Sequence, residues 1–344
     1  MTFTETFLIY PSNRGLQRAV RHYSGLFPQQ AREAEVETDR SNVIQQDNFI
    51  HTRGGFDLPA ELAGIPDDAC ENLRGMVDEQ DGAASEDSAA LCCTLGNLLA
   101  ARAQLQQDDA LYEEAIQAFH DALAIVTQEA HPDEWAWAQY GLAAASHALG
   151  VRQGQAGLYK AAVDAGTQAL LVWTRQDNPL EWALTMHQLG ITFHQHGMML
   201  KGNRTLQKSV VAFKNALTEF DEENTGIELL ASHNNRGAVL HNLGESEQNP
   251  DRIEEAIRAY DAALDTSLAQ QLSIHLANVC RINMATAKRI LGAMRQDAAI
   301  TEEAADELEV IIECFGDSCQ PRYLSHCEQQ LAMARQQMET AGQA

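Results

Sequence analysis

His-Asn-Asn-Arg-Gly-Ala-Val-Leu-His-Asn-Leu-Gly, residues 233–244, is followed at residue 253 by Ile-Glu-Glu-Ala-Ile-Arg-Ala-Tyr-Asp-Ala-Ala-Leu. Stepping back by 47 residues from this pair of stretches finds related residues each time. Arg236-Gly237 maps onto Leu189-Gly190, Leu142-Ala143 and Leu95-Gly96. Ile253 maps onto Leu206, Tyr159 and Tyr112, and Ala256 onto Ser209, Ala162 and Ala115. Ala263-Leu264 has counterparts at 216, 169 and 122. Four copies in step describe an array of one supersecondary unit, in which each copy buries its apolar face against the next.

Each copy reads as two helices. Helix A of one copy is predicted over Pro132 to Leu149 and helix B over Leu158 to Trp173. Pro132 and Pro179 suit a first helical turn, where a missing N–H costs nothing. Gly150, Gly197 and Gly244, also in step, are predicted to end helix A in the left-handed conformation. Asp251-Arg252-Ile253-Glu254 resembles a capping box, with Glu245 to Pro250 as the connecting loop. Gly96, Ala143, Gly190 and Gly237 sit mid-helix, where Gly costs about 1 kcal/mol relative to Ala, so their smallness implies a close neighbour. Phe119, Phe213 and Tyr260 form a core column that Gly166 interrupts, and Leu99, Phe193 and Leu240 form another that Ser146 interrupts.

These residues resemble the tetratricopeptide repeat family. Trp182, Leu189-Gly190 and Phe193 match its helix A, and Ser209, Phe213 and Ala216 its helix B. The family's unit is about 34 residues long, and this one, at 47, reads as a variant with longer helices and extended turns. Asn234-Asn235-Arg236-Gly237 and Ile253-Glu254-Glu255-Ala256 look like the long-repeat bacterial variety, with Arg236 where a Leu is expected. The resemblance implies an all-α, right-handed solenoid of antiparallel helix pairs with a less regular N-terminal region. The expected division is an N-terminal region over 1–85 and an array over 86–315. Its copies are placed at 88–134, 135–181, 182–228 and 229–275, with a degenerate copy at 276–315. A C-terminal capping helix within 316–344 completes it.

Outside the array, Thr4 to Tyr10 reads as a short strand or an extended arm. Gly15 to Phe27 reads as an amphipathic helix bearing Leu16, Val20, Tyr23 and Phe27, and Asp67 to Val77 as another helix. Residues 28–64 are mixed, with Gly54-Gly55 and Pro59 as breakers.

The net charge of −25 opposes nucleic acid, whose phosphates need a basic footprint, and also opposes anionic membranes. It favours a basic protein or peptide partner. No apolar run is long enough to span a bilayer, and the first residues lack the pattern of a secretory signal. Seven cysteines, an odd number, fit reduced thiols, so a cytoplasmic location is expected. No cofactor is expected, because phosphate loops, nucleophile elbows and H-E-x-x-H are missing from the sequence.

The leading functional reading is a scaffold or adaptor that holds a peptide or helix of a partner in a concave groove. Its candidate lining is Gln139, Tyr140, His147, His187, His194, Asn234 and His241, since Asn and His side chains can bond a ligand's backbone. His147, His194 and His241 form a stripe in step with the repeat, too widely spaced for one metal. A second reading is a ligand-responsive regulator whose N-terminal region moves against the array. A third is a metal-dependent enzyme using His187, His194 and His196. Cys314, Cys319, Cys327 and His326 form another candidate cluster, with spacing unlike common zinc sites. Arg14, Arg18 and Arg21 make a basic face on the first helix, suited to docking on an acidic surface of this chain or of a second copy in a homo-oligomer.

Overall fold

A computed structural model of the chain describes residues 3–10, 14–28, 62, 65–79, 85–315 and 321–341. Residues Gly54, Gly55, Pro59 and Cys319 lie outside them. Among the described residues there are thirteen α-helices and no strand. They run α1 Arg14–Leu26, α2 Ala69–Glu79, α3 Glu86–Gln106, α4 Asp109–Ile125, α5 Pro132–Gln153, α6 Ala156–Ala169 and α7 Pro179–Leu200. Then follow α8 Asn203–Ala216, α9 Gly226–Glu247, α10 Pro250–Ala269, α11 Ile274–Arg295, α12 Ala298–Phe315 and α13 Pro321–Ala341. None is long and apolar enough to cross a membrane.

The chain divides into two compact units. One comprises the residues from Asn13 to Met199, apart from a short stretch at 51–56, and carries α1 to α7. In it α3 pairs with α4 and α5 with α6, α4 packs on α5, and α1 and α2 cover α3. Its core joins Leu16, Tyr23 and Leu73 to Leu98, Leu99 and Phe119. The other unit comprises the N-terminal segment and everything from Leu200 onward. There each of the helices α8 to α12 packs on its successor, and α11 also touches α9 and α13. The predicted array, 86–315, runs through both units.

Local chemistry explains the helix ends. Ser85, Asp108, Asn249 and Ser273 cap α3, α4, α10 and α11, each side chain accepting a bond from a first-turn N–H. Asn249 therefore caps α10, not Asp251, and Pro250 occupies its first turn. The predicted glycine terminators are corrected. Gly150, Gly197 and Gly244 lie inside helices, and the left-handed residues fall four positions later, at Gly154, Lys201 and Gln248, with Gln107 one step earlier in the chain. These too are 47 apart, with Gln296 one step further after the single-residue insertion. Gly244 is small for another reason: a Cβ there would lie 2.5 Å from Ile253 Cδ1 of α10.

The mid-helix small residues have the expected close neighbours. A Cβ on Gly96 would lie 2.9 Å from the Phe119 ring, and one on Gly237 would lie 2.7 Å from the Tyr260 ring. The copy that breaks the aromatic column has small residues on both helices. Ala143 replaces the helix A glycine, Gly166 replaces the aromatic, and Leu189 comes within 2.9 Å of where a Gly166 Cβ would be. The volume missing at Gly166 is thus filled by Leu189 of the next copy, which keeps the packing close.

Candidate functional site

Residues 3–10 run extended across α9, α11 and α13, without pairing to any described strand. Such a segment has backbone donors and acceptors that must be satisfied once buried. Asparagine side chains from two helices do this. The Asn235 amide accepts from Ile9 N at 2.7 Å and donates to Ile9 O at 2.6 Å. Asn283 does the same for Phe7, accepting from its N–H at 2.9 Å and donating to its carbonyl at 2.8 Å. An Asn amide offers one acceptor and two donors in one plane, so each pair mimics a rung of a β-ladder.

Asn234 locks the two rungs together. It donates to Phe7 O at 2.9 Å and to Asn235 Oδ1 at 3.1 Å, and accepts from Asn283 Nδ2 at 2.9 Å. All three asparagines are almost wholly buried. Further along, Asn242 donates to Thr4 O at 3.3 Å, and Glu245 accepts from Thr4 N at 2.9 Å and from its hydroxyl at 2.5 Å.

The side chains of the segment add apolar and aromatic contacts. Phe7 and Ile9 are buried in a core with Leu230, Ala231, Leu276 and Leu331. The Phe7 ring meets Tyr323 edge-on at 4.6 Å and His326 at 5.0 Å, with the Arg322 guanidinium 5.7 Å from its centroid. Glu5, two residues upstream, accepts from Arg322 Nε at 2.9 Å.

A buried polar layer is built from the same helices. His326 shares a 3.1 Å hydrogen bond with Thr286, and Arg289 donates to Gln330 at 2.7 Å. Burial lowers the His326 pKa to about 4, opposed by Glu5 and reinforced by Arg289 and Arg322. Burial, Arg289 and His326 together lower that of His241 to about 3. Both rings are therefore neutral at pH 7, which leaves Arg289 as the charged member of this layer; burial lowers its pKa against the pull of Glu245.

Of the seven predicted groove residues, only Asn234 and His241 lie in this unit. Asn234 is at the centre of the cradle, and His241 is fully buried, with neither ring nitrogen making a hydrogen bond among the described residues. The other five belong to the first unit. Gln139 is half-buried on α5, and Tyr140 packs on Trp137 and Trp173. His147 is buried and shares a 3.2 Å bond with Thr192. His187 and His194 are buried, and burial lowers the His187 pKa to about 3. The histidine stripe is therefore packed inside the helix layers and not presented at a surface.

The histidine metal cluster is also corrected. His196 stacks on Tyr159 at 5.6 Å, and among the described residues no group of three His, Cys, Asp or Glu side chains is placed to hold a metal ion. The same holds for Cys314, Cys327 and His326, where His326 is engaged by Thr286 and Phe7. Of the basic face, Arg14 is half-buried, Arg21 is exposed, and Arg18 pairs with Glu134 at 3.4 Å and lies 5.1 Å over the Trp137 ring. Arg18, His22, Cys93, Thr94, Glu134 and Trp137 line a small cavity of about 180 Å³ in the first unit. Burial pushes the Cys93 thiol up to about 12, which removes it as a nucleophile.

Reasoning from sequence missed Asn235, Asn242, Asn283, Glu245 and the Arg322–His326 wall. A signal was present. Asn283 lies 48 residues after Asn235, the same offset that relates Gly237 to Ala285, and Asn242 follows Asn235 by seven, on the same helical face. With this geometry in view, comparison with known proteins adds no family. No protein-family profile matches the chain, and no curated protein matches it.

Proposed function

We propose that the chain is a peptide-binding scaffold of the tetratricopeptide type, a right-handed solenoid acting in the cytoplasm. Its ligand is an extended segment of a partner protein laid across α9, α11 and α13. One observation carries this reading: Asn235 and Asn283 each close two hydrogen bonds on the backbone of a buried extended residue. Backbone recognition of this kind tolerates many sequences, while pockets for alternate side chains select among them. The −25 charge favours partners whose flanking residues are basic.

The test is affinity capture by the full chain, followed by mapping the captured protein's binding segment on overlapping synthetic peptides. Asn235→Leu with Asn283→Leu is expected to abolish capture while leaving the helical circular-dichroism signal intact. Capture that survives the double substitution, or that maps to a folded domain and to no linear peptide, refutes the reading. A second reading, a regulator whose N-terminal region moves, draws support from the identity of the segment now in the groove.

A further inference from the structure

The occupant of the asparagine cradle is the chain's own residues 3–10. We propose that this segment is a resident competitor: the groove binds a partner peptide of the same chemistry in the same register, and only after residues 3–10 leave. This rests on the peptide-binding reading above and specifies its ligand and its control.

The contacts define that ligand. Phe7 fills a pocket walled by Tyr323, His326 and Arg322, so an aromatic is required at the central position. Ile9 is fully buried, so an aliphatic residue is required two positions on. Glu5 meets Arg322, so a carboxylate is favoured two positions before the aromatic. Thr4 gives its N–H and its hydroxyl to Glu245, which favours a hydroxyl residue just before the acid. Leu8 is buried as well, so the fitting peptide is hydroxyl–acid–x–aromatic–aliphatic–aliphatic in an extended conformation.

The segment is suited to leave. It is bound mostly by side chains and not by a sheet ladder. Glu5 is exposed, Thr4 and Thr6 are half-exposed, and only three consecutive residues, Phe7 to Ile9, are buried. It is also tethered, which decides the competition. A short tether holds a ligand at an effective concentration on the order of millimolar. A free peptide with an affinity of about 10 μM for the empty groove is then weakened on the order of 100-fold by the occupant.

The probe is a fluorescent synthetic peptide with the sequence of residues 2–10, titrated into the full chain by anisotropy. Phe7→Ala in the chain loosens the occupant and is expected to tighten probe binding at least tenfold over the unsubstituted protein. Glu5→Lys, an exposed change that leaves the core intact, is expected to tighten it less. A probe carrying alanine in place of its phenylalanine is expected to lose at least tenfold on the Phe7→Ala chain. The proposal is overturned if both variants keep their helical signal and bind the probe no better than the parent. It is also overturned if light scattering shows a dimer that dissociates in Phe7→Ala, since the segment would then be exchanged between two copies.

The two readings fail separately. A partner captured equally by the parent and by Phe7→Ala, yet lost with Asn283→Leu, keeps the scaffold and overturns the competitor. Tight probe binding to Phe7→Ala with no partner that depends on Asn283 keeps the competitor and overturns the scaffold.

Discussion

Asn235→Ala removes one complete rung of the cradle, and its consequence can be worked through. The side chain supplies an acceptor 2.7 Å from Ile9 N and a donor 2.6 Å from Ile9 O, and Ile9 is fully buried. A buried polar group left without a partner costs about 1–3 kcal/mol. Two stranded groups cost about 2–6 kcal/mol while the segment stays in place. The segment escapes this by undocking and rehydrating, so the observable loss saturates at its docking free energy. Amide hydrogen exchange reads this directly, because protection reports the free energy of local opening. A loss of about 2 kcal/mol accelerates Ile9 exchange about 30-fold. The expected pattern is graded: faster exchange at Ile9 and Phe7, and none at the centres of α5 and α7 in the other unit. Unchanged exchange at Ile9, in a protein whose melting is also unchanged, refutes the claim that the Asn235 amide holds that backbone.

Three further outcomes follow from the fold. Gly237→Ala is expected to destabilise by about 1–3 kcal/mol, because the new Cβ would lie 2.7 Å from the fully buried Tyr260 ring; a raised melting temperature would show that helix propensity outweighs the clash. Gln248→Gly is expected to stabilise by about 1 kcal/mol, since residue 248 ends α9 at φ 51° in the region that disfavours a Cβ; chemical denaturation measures it, and a loss of stability contradicts it. Acid is expected to destabilise both units. The folded-state pKa values of His187, His241 and His326, about 3, 3 and 4, lie below the ordinary 6.5, so the unfolded chain takes up protons first as pH falls. Stability from these rings is complete above about pH 6.5 and is lost as pH falls through the window down to 4 and 3, at about 2 kcal/mol per ring by pH 5. A melting temperature that rises from pH 7 to pH 5 refutes the neutral buried rings.

What was legible in the sequence was whatever repeats. Small residues at 96 and 237 report an aromatic neighbour one helix away, and the local pairing of α9 with α10 follows from such residues. The ends of the helices were less legible. Gly244 has the composition of a terminator, yet it is small to admit Ile253, and a glutamine does the terminating. Sequence alone does not separate a glycine needed for its backbone from one needed for its missing side chain. The cradle was half legible. Asn234 stood out as a backbone binder, but what it binds lies 227 residues away in the chain. Nothing local in Thr4 to Tyr10 announces that it ends in a groove, because an extended segment held by side chains carries no strand partner and no period. The histidine stripe misled for the opposite reason: repetition marks packing as readily as recognition, and His147, His194 and His241 are buried.

The most direct measurement is the affinity of the residue 2–10 peptide for the Phe7→Ala chain, before and after Asn235→Ala and Asn283→Ala are added together. Four backbone hydrogen bonds are lost, at about 0.5–1.5 kcal/mol each, so the affinity is expected to fall at least 30-fold while the helical signal and compactness persist. An affinity unchanged within threefold would contradict the claim that this groove reads peptide backbone through its asparagines.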